Sequence, residues 1–192
     1  MSPRRRGLAL TAVVLAIAVG GAALAVSSEL KDPNDAPGAL DVRLVKVNHP
    51  KGEPPSWTVI TFSQWKIGQL WDRGYVFVEF DTEGLETADH YAMIRSDGRA
   101  MRGELFRVAT RAGRPDRKIA DLKVWRKSPD GVSVTVPLKK MEFGPYRSFY
   151  RWWVVSSLTG EKCPNTCLDR APDEGSIQAW LPGQSPAPSS GG

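Results

Sequence analysis

The stretch from Tyr75 to Arg95 constrains the fold more than any other part of the sequence. Its first run, YVFVEF, alternates so that the even-numbered residues are all apolar, whereas the odd-numbered face turns polar at Glu79. Successive strand side chains point to opposite faces, so this run predicts a half-buried strand. A second apolar run covers Tyr91 to Ile94, and Asp97-Gly98 follows it as a hairpin turn that accepts positive φ. The stretch therefore predicts an antiparallel meander.

Further β-type runs occupy most of the chain between Asp41 and Leu181. Trp57 to Phe62 is β-branched and aromatic, Ile119 to Arg126 alternates, and Val132 to Leu138 alternates cleanly. Ser148 to Leu158 is apolar on both faces, which is typical of a central strand. With frequent Gly and Pro turns and almost no helical periodicity, the sequence predicts an all-β fold. We expect a single antiparallel β-sandwich, with a small β-barrel as the alternative.

The N-terminus has the composition of a targeting segment. Arg4 to Arg6 precede an apolar run from Leu8 to Val26, and Ala23-Leu24-Ala25 fits a small-x-small cleavage site. We therefore expect a signal peptide over residues 1–25, which leaves a mature chain that starts at Val26. The apolar run is also long enough for an uncleaved transmembrane anchor. On either interpretation the rest of the chain is exported, as a secreted or cell-surface protein.

The basic net charge comes largely from this targeting segment. The chain carries 26 Lys and Arg against 21 Asp and Glu, a formal net charge of +5. Without the three N-terminal arginines only a small excess of basic residues is left, and a nucleic-acid partner loses its main support. Contact with a membrane is expected only through residues 8–26, if they are not cleaved.

The composition divides the exported part into three segments. Residues 26–40 are polar and contain Pro and Gly, so they are predicted to be a flexible linker. Residues 41–181 form the predicted sandwich, which is large enough to bury a core. Within it the charged run from Asp169 to Asp173 is expected to be a turn. Residues 182–192 are rich in Pro, Ser and Gly and are predicted to be a disordered tail.

The only two cysteines, Cys163 and Cys167, are predicted to form a disulfide. The intervening Pro164-Asn165 can turn the backbone enough to bring the cysteines together, and an exported chain meets an oxidising environment. A zinc site would need two further ligands from a chain that has two histidines. We expect the bond to fix the corner between the Ser148–Leu158 strand and the final segment, residues 176–181.

The loop DTEGLETAD carries four carboxylates that are weak candidates for a calcium site: Asp81, Glu83, Glu86 and Asp89. Calcium needs several oxygens on a bent loop, but the spacing is not that of an EF-hand. The sequence instead favours a solvated turn without metal, with Arg95 offsetting the charge across the hairpin. No motif for a cofactor is present, and none is predicted.

No catalytic motif identifies an enzyme. Neither a G-x-S-x-G elbow nor an H-E-x-x-H helix occurs, and His49 and His90 stand alone in the sequence. A triad assembled from distant positions stays open, since triads are recognised by geometry and not by order. The sequence therefore favours a protein without enzymatic activity, with a secreted hydrolase that has a dispersed active site as the alternative.

Seven tryptophans exceed what a core of this size needs, although most of them are expected to lie in the core or at the ends of the sandwich. Exposed tryptophans stack on sugar rings or anchor protein partners, and Trp57, Trp65 and Trp71 are the candidates for such contacts. The most consistent function is a binding module at the cell surface whose ligand is a carbohydrate or a protein.

Three segments resemble a known group of proteins: FDTEGLETADHYAMIRSDG, VWRKSPDGVSVTVPLKKM and CPNTCLDRAPDEG. They are similar to small exported proteins, typical of high-GC actinobacteria, that carry one β-rich domain after a signal peptide. The resemblance covers about Asp41 to Ile177 and implies export and a single domain. The group has no assigned activity, so the resemblance implies no catalytic or binding residues.

Overall fold

The computed structural model describes residues 26–63, 74–96, 100–144, 148–160, 163–181 and 184. Within these ranges the chain forms twelve β-strands and one 3-10 turn at Leu138–Lys140, and it contains no α-helix. The strands are β1 (Val26–Lys31), β2 (Val42–His49), β3 (Ser56–Thr61), β4 (Gly74–Asp81), β5 (His90–Ser96), β6 (Met101–Arg107), β7 (Arg117–Leu122), β8 (Val124–Ser128), β9 (Gly131–Thr135), β10 (Phe149–Gly160), β11 (Cys163–Ala171) and β12 (Ile177–Trp180).

The strands form two antiparallel sheets. The five-stranded sheet has the order β1-β2-β3-β9-β8. The seven-stranded sheet has the order β11-β10-β4-β5-β6-β7, with β12 paired to β10 beside this path. Neither sheet closes on itself, so the fold is the predicted sandwich and not the barrel.

Alternation along the strands builds the core between the sheets. Val76, Val78 and Phe80 of β4 are fully buried, as the YVFVEF pattern predicts. From the opposite sheet, Trp57 of β3 reaches Phe80, with the two ring centroids 5.1 Å apart at an interplanar angle of 85°. Aromatic contacts of this kind join the inner faces of the two sheets.

The strand β10 is central in its sheet, which confirms the prediction for Ser148 to Leu158. It pairs with β4 along one side. Along its other side, its first residues pair with β12 and its later residues pair with β11. Its inner face contributes Tyr150, Trp152 and Val154 to the core.

The segment predicted as a flexible linker is part of the fold. β1 pairs with β2 in antiparallel register, from Val26 opposite His49 to Lys31 opposite Leu44. After β1, Leu40 is buried, and a Cβ added at Gly38 would lie 2.9 Å from the sulfur of Cys163. Composition did not predict this pairing, because the Pro and Gly residues that suggest a flexible linker occur here in the loop after β1.

Both chain ends largely lie outside the described residues. The predicted signal peptide or anchor at residues 1–25 is among the residues not described, and so is the predicted tail apart from Gln184. Across the portion that is described, no helix has the length and apolar character needed to cross a membrane.

The sulfur atoms of Cys163 and Cys167 lie 2.28 Å apart and their Cα atoms 5.3 Å apart, which confirms the predicted pairing. The pair lies where β10 and β11 meet. Cys163 pairs with Gly160 and Cys167 with Leu158, so the three residues between the cysteines bulge out of β11. The predicted location at the corner leading to the final segment is wrong. The residues after Cys167 continue β11 alongside β10. The final segment forms β12, which pairs with the other half of β10.

Replacing both cysteines with serine should lower the free energy of unfolding by about 1–3 kcal/mol and leave the fold intact. The effect is modest because the bond closes a very short loop, and chain-entropy stabilisation grows with loop length. Urea unfolding of the oxidised protein and of the double serine variant measures the difference. An unchanged urea midpoint would show that the bond contributes nothing to stability.

Candidate functional site

The outward-facing side chains of β4, β5 and β6 form a continuous group of aromatic rings, which we call the outer aromatic face: Tyr75, Phe77, Tyr91 and Phe106. All four are half-buried. They lie outside the sandwich because their strand neighbours of opposite parity fill the core. The centroid of Phe77 lies 5.9 Å from that of Tyr75 and 5.8 Å from that of Tyr91. The rings of Tyr91 and Phe106, paired across β5 and β6, are 5.1 Å apart.

The orientation of these rings limits what they can bind. Tyr91 and Phe106 have an interplanar angle of 15°, and Tyr75 and Phe77 have an angle of 21°. At such short separations, nearly parallel rings are offset stacks whose broad faces cover each other. Each ring of a stacked pair therefore has one broad face covered by its neighbour.

A polar group borders the outer aromatic face on β4 and β10. Trp153 pairs with Glu79, and its indole Nε1 donates a hydrogen bond to the Glu79 carboxylate. The guanidinium of Arg170 lies 5.2 Å from the Trp153 ring centroid, a cation–π contact. Burial raises the pKa of Glu79, while the hydrogen bond from Trp153 and the charge of Arg170 act in the opposite direction. This side of the face thus ends in a half-buried carboxyl and an arginine.

The opposite side of the face ends in ion pairs. Glu104 of β6 lies 2.6 Å from Nζ of Lys118 and 3.6 Å from Nε of Arg95. The Tyr91 hydroxyl donates a 2.9 Å hydrogen bond to Asp116. Burial and this bond to Asp116 both raise the pKa of Tyr91, so the phenol stays protonated. The outer aromatic face therefore has an apolar centre and a charged rim.

The predicted stacking tryptophans do not form this face. Trp57 is fully buried between the sheets, so its assignment as a stacking residue is wrong. Side chains alternate along β3, so Ser56 and Thr58 point outward and the Trp57 side chain between them points into the core. Trp65 and Trp71 lie outside the described residues. The odd-numbered residues of YVFVEF carried the sequence signal for the outer aromatic face. The number of tryptophans does not reveal this face, because none of its four rings belongs to a tryptophan.

Two aspartates close the acidic loop between β4 and β5. Asp81, which is buried, accepts hydrogen bonds from the backbone N–H groups of residues 84–86. Asp89 accepts hydrogen bonds of 2.8 Å from the backbone N–H groups of Thr82 and Glu83. Their oxygens are therefore engaged in shaping the loop, whose base at Asp81 and Thr82 is buried while residues 85–87 are exposed.

Arginines from other strands pair with the remaining carboxylates of this loop. Arg107 lies 3.4 Å from Glu83, and Arg151 lies 3.3 Å from Glu86. The prediction that Arg95 offsets the charge of this loop is wrong, because Arg95 pairs with Glu104 across β5 and β6. Whether the loop excludes metal stays a prediction.

His90 does not assemble a catalytic triad with its neighbours. Its Nδ1 lies 2.5 Å from the Asp89 carboxylate and 3.4 Å from the Thr82 hydroxyl, so both groups contact the same ring nitrogen. A triad needs the carboxylate on one nitrogen and the nucleophile on the other. His90 is fully buried, and its Nε2 has no hydrogen-bond partner among the described residues. His49 is half-buried beside Trp57, and burial lowers its pKa.

A second group of carboxylates comes from both ends of the chain, and the sequence did not single it out. It consists of Asp32, Asp35, Asp169 and Asp173, each of which offers one carboxylate oxygen within 4.8 Å of the others. The predicted turn at Asp169 to Asp173 is wrong in its first part, because Asp169 belongs to β11 and its side chain is buried. No local pattern could have found this group, since β11 and the loop after β1 meet only in the folded sandwich.

Comparison with known proteins gives no relative of this chain. No family model, curated protein or solved structure matches it. The resemblance to exported actinobacterial proteins therefore stays a prediction.

Proposed function

We propose that the protein is an exported, non-enzymatic β-sandwich module that binds a protein partner at the cell surface through the outer aromatic face. The observation that carries the proposal is the unbroken contact of four aromatic rings across three strands, on the outside of the sandwich. Aromatic side chains concentrate binding energy at protein interfaces because they bury a large area with few rotatable bonds.

The composition of the face supports a protein partner over a carbohydrate. Protein interfaces are enriched in aromatic residues, Met and Arg at the centre and have a polar rim. Met93 lies beside Phe77 in the strand register, Arg170 covers Trp153, and Glu104 begins the charged rim. A sugar stacks on a free broad ring face, and the two stacked pairs each cover one broad face of their rings, which reduces the area available to a sugar.

Two further features support export. The N-terminal residues have the composition of a signal peptide or anchor. The bonded pair Cys163 and Cys167 is stable in an oxidising compartment, as outside the cytoplasm.

A photo-reactive phenylalanine analogue placed at Tyr75 or at Phe106 tests this proposal in cells of the native host. We expect irradiation to yield one discrete cross-linked protein at both positions. The same analogue at Lys46, a half-exposed residue on the five-stranded sheet, is the control and should give no such product. Equal products at all three positions, or none at any, would contradict the proposal.

The combined variant Tyr75→Ala and Phe106→Ala should weaken binding of the cross-linked partner at least tenfold, because truncating interface anchors costs the most affinity. Titration of the purified partner measures this change. Thr58→Ala on the five-stranded sheet is the matched control and should leave affinity unchanged. If the aromatic variant instead loses binding to insoluble cell-wall polysaccharide, the ligand is a carbohydrate and the proposal is wrong.

A further inference from the structure

The carboxylates of Asp32, Asp35, Asp169 and Asp173 have the spacing of ligands around one calcium ion. Calcium binds oxygen at 2.3–2.6 Å, so ligands on opposite sides of the ion are about 4.8 Å apart. One oxygen from each of the four carboxylates lies within 4.8 Å of all the others. This spacing allows a single ion to lie among the four oxygens.

A buried oxygen of Asp32 without a partner is a second observation that points to a cation. Asp32 is 8% exposed, and its Oδ2 has no hydrogen-bond partner among the described residues. Asp41, which is not one of the four, is 3% exposed, and its Oδ1 also lacks a partner within those residues. In the described part of the chain, no Lys or Arg forms an ion pair with any of these carboxylates. Buried ionised carboxylates normally pair with a cation or coordinate a metal.

The two sheets hold the buried members of the group in place. Asp169 is an inward-facing residue of β11, and its Oδ2 accepts a 2.6 Å hydrogen bond from the backbone N–H of Val42 in the other sheet. Asp32 directly follows β1, and its backbone N–H donates to the carbonyl of Arg43 at 3.1 Å. Asp35 and Asp173 are exposed, which gives an ion access and leaves room for water ligands.

Without a cation, the carboxyl groups of this cluster repel one another. Burial raises the pKa of Asp32 to about 7, and the charges of Asp169 and Asp173 act in the same direction. Burial also raises the pKa of Asp41 to about 6, with further contributions from Asp169 and Asp35. A bound divalent cation would reverse the repulsion between these carboxylates.

We propose that Asp32, Asp35, Asp169 and Asp173 bind one calcium ion, which joins the edge strand β1 to β11 across the sandwich. An all-oxygen set of carboxylates suits a hard cation and not zinc or copper. Four carboxylates from the protein suit calcium better than magnesium, which keeps most of its water and uses one or two carboxylates.

The test uses the purified exported chain, stripped of metal with a chelator and titrated with calcium chloride in a calorimeter. We expect one ion per chain with a dissociation constant of about 1 mM or lower, the range of extracellular calcium modules. Calcium at about a hundred times this constant should raise Tm by about 5–10 °C. No binding heat and no change in Tm would overturn the proposal. Equal stabilisation by magnesium would overturn the choice of calcium.

The variant Asp35→Asn with Asp173→Asn removes the two exposed ligands and should weaken calcium binding at least tenfold without disturbing the core. Its far-UV circular dichroism in chelator should match that of the unchanged protein. The control is Glu83→Gln with Glu86→Gln in the acidic loop, which should bind calcium normally. Calcium binding that survives the aspartate variant and disappears in the control would place the ion in the acidic loop and overturn the site proposed.

Discussion

Replacing Trp57 with alanine should lower the free energy of unfolding by about 3–5 kcal/mol, the largest stability loss we expect from a single substitution. Trp57 is fully buried on β3, and its ring contacts three aromatic rings of the opposite sheet. These are Phe80 at 5.1 Å, Trp152 at 6.3 Å and Tyr150 at 6.4 Å between centroids. Truncation would leave a cavity between the two sheets, which a rigid sandwich cannot refill by local collapse.

Urea unfolding followed by far-UV circular dichroism measures this loss without relying on the fluorescence of the missing tryptophan. Trp57→Phe should cost less, because phenylalanine keeps a ring and removes an indole N–H that has no partner among the described residues. Leu168→Ala is the surface control, since Leu168 is 65% exposed and its removal should change stability by less than about 0.5 kcal/mol. A loss below about 1 kcal/mol for Trp57→Ala would show that the aromatic core does not join the sheets.

Replacing Asp89 with alanine should cost about 2–4 kcal/mol, because its carboxylate satisfies several donors at the base of the acidic loop. It accepts hydrogen bonds from the backbone and hydroxyl of Thr82, at 2.8 and 2.9 Å, and from the backbone of Glu83. Nδ1 of the buried His90 also lies 2.5 Å away. Removal of the carboxylate would leave these donors without partners. Glu86→Ala in the same loop is the matched control, because the Glu86 side chain is 81% exposed.

The contribution of Asp89 should depend on pH. Burial alone would raise its pKa, but the hydrogen bonds from His90, Thr82 and the loop backbone outweigh burial and lower it below the ordinary value of 3.8. A carboxyl whose pKa is lower in the folded state stabilises the fold above its unfolded pKa and loses this contribution as the pH falls through the folded value. The stability difference between the wild-type protein and Asp89→Asn should therefore be largest above about pH 5 and should shrink below about pH 4. Urea unfolding at pH 7, 5 and 3 measures it, and a difference independent of pH would contradict this account.

Local patterns predicted the strands well where one strand sits wholly within one sheet. The alternation of YVFVEF identified which side chains of β4 enter the core, since the period of a strand fixes the face of every residue. The same reasoning fails at Ile119 to Arg126, whose alternation predicts one strand. The chain crosses at Lys123 from β7 in the seven-stranded sheet to β8 in the five-stranded sheet, and alternation continues through the crossing.

The sequence by itself determined the all-β class and the pairing of Cys163 with Cys167, because alternation, turn residues and short cysteine spacing are local properties, whereas the choice of sandwich over barrel depended on the sheet topology. Only the tertiary structure decided that β1 completes a sheet, that Trp57 is internal and that Asp32 meets Asp169. These outcomes depend on which strands become neighbours, and strand order is set by packing between residues far apart in the chain. The local sequence around a charged or aromatic residue is the same whether its side chain lies in the core, on the surface or beside a second carboxylate.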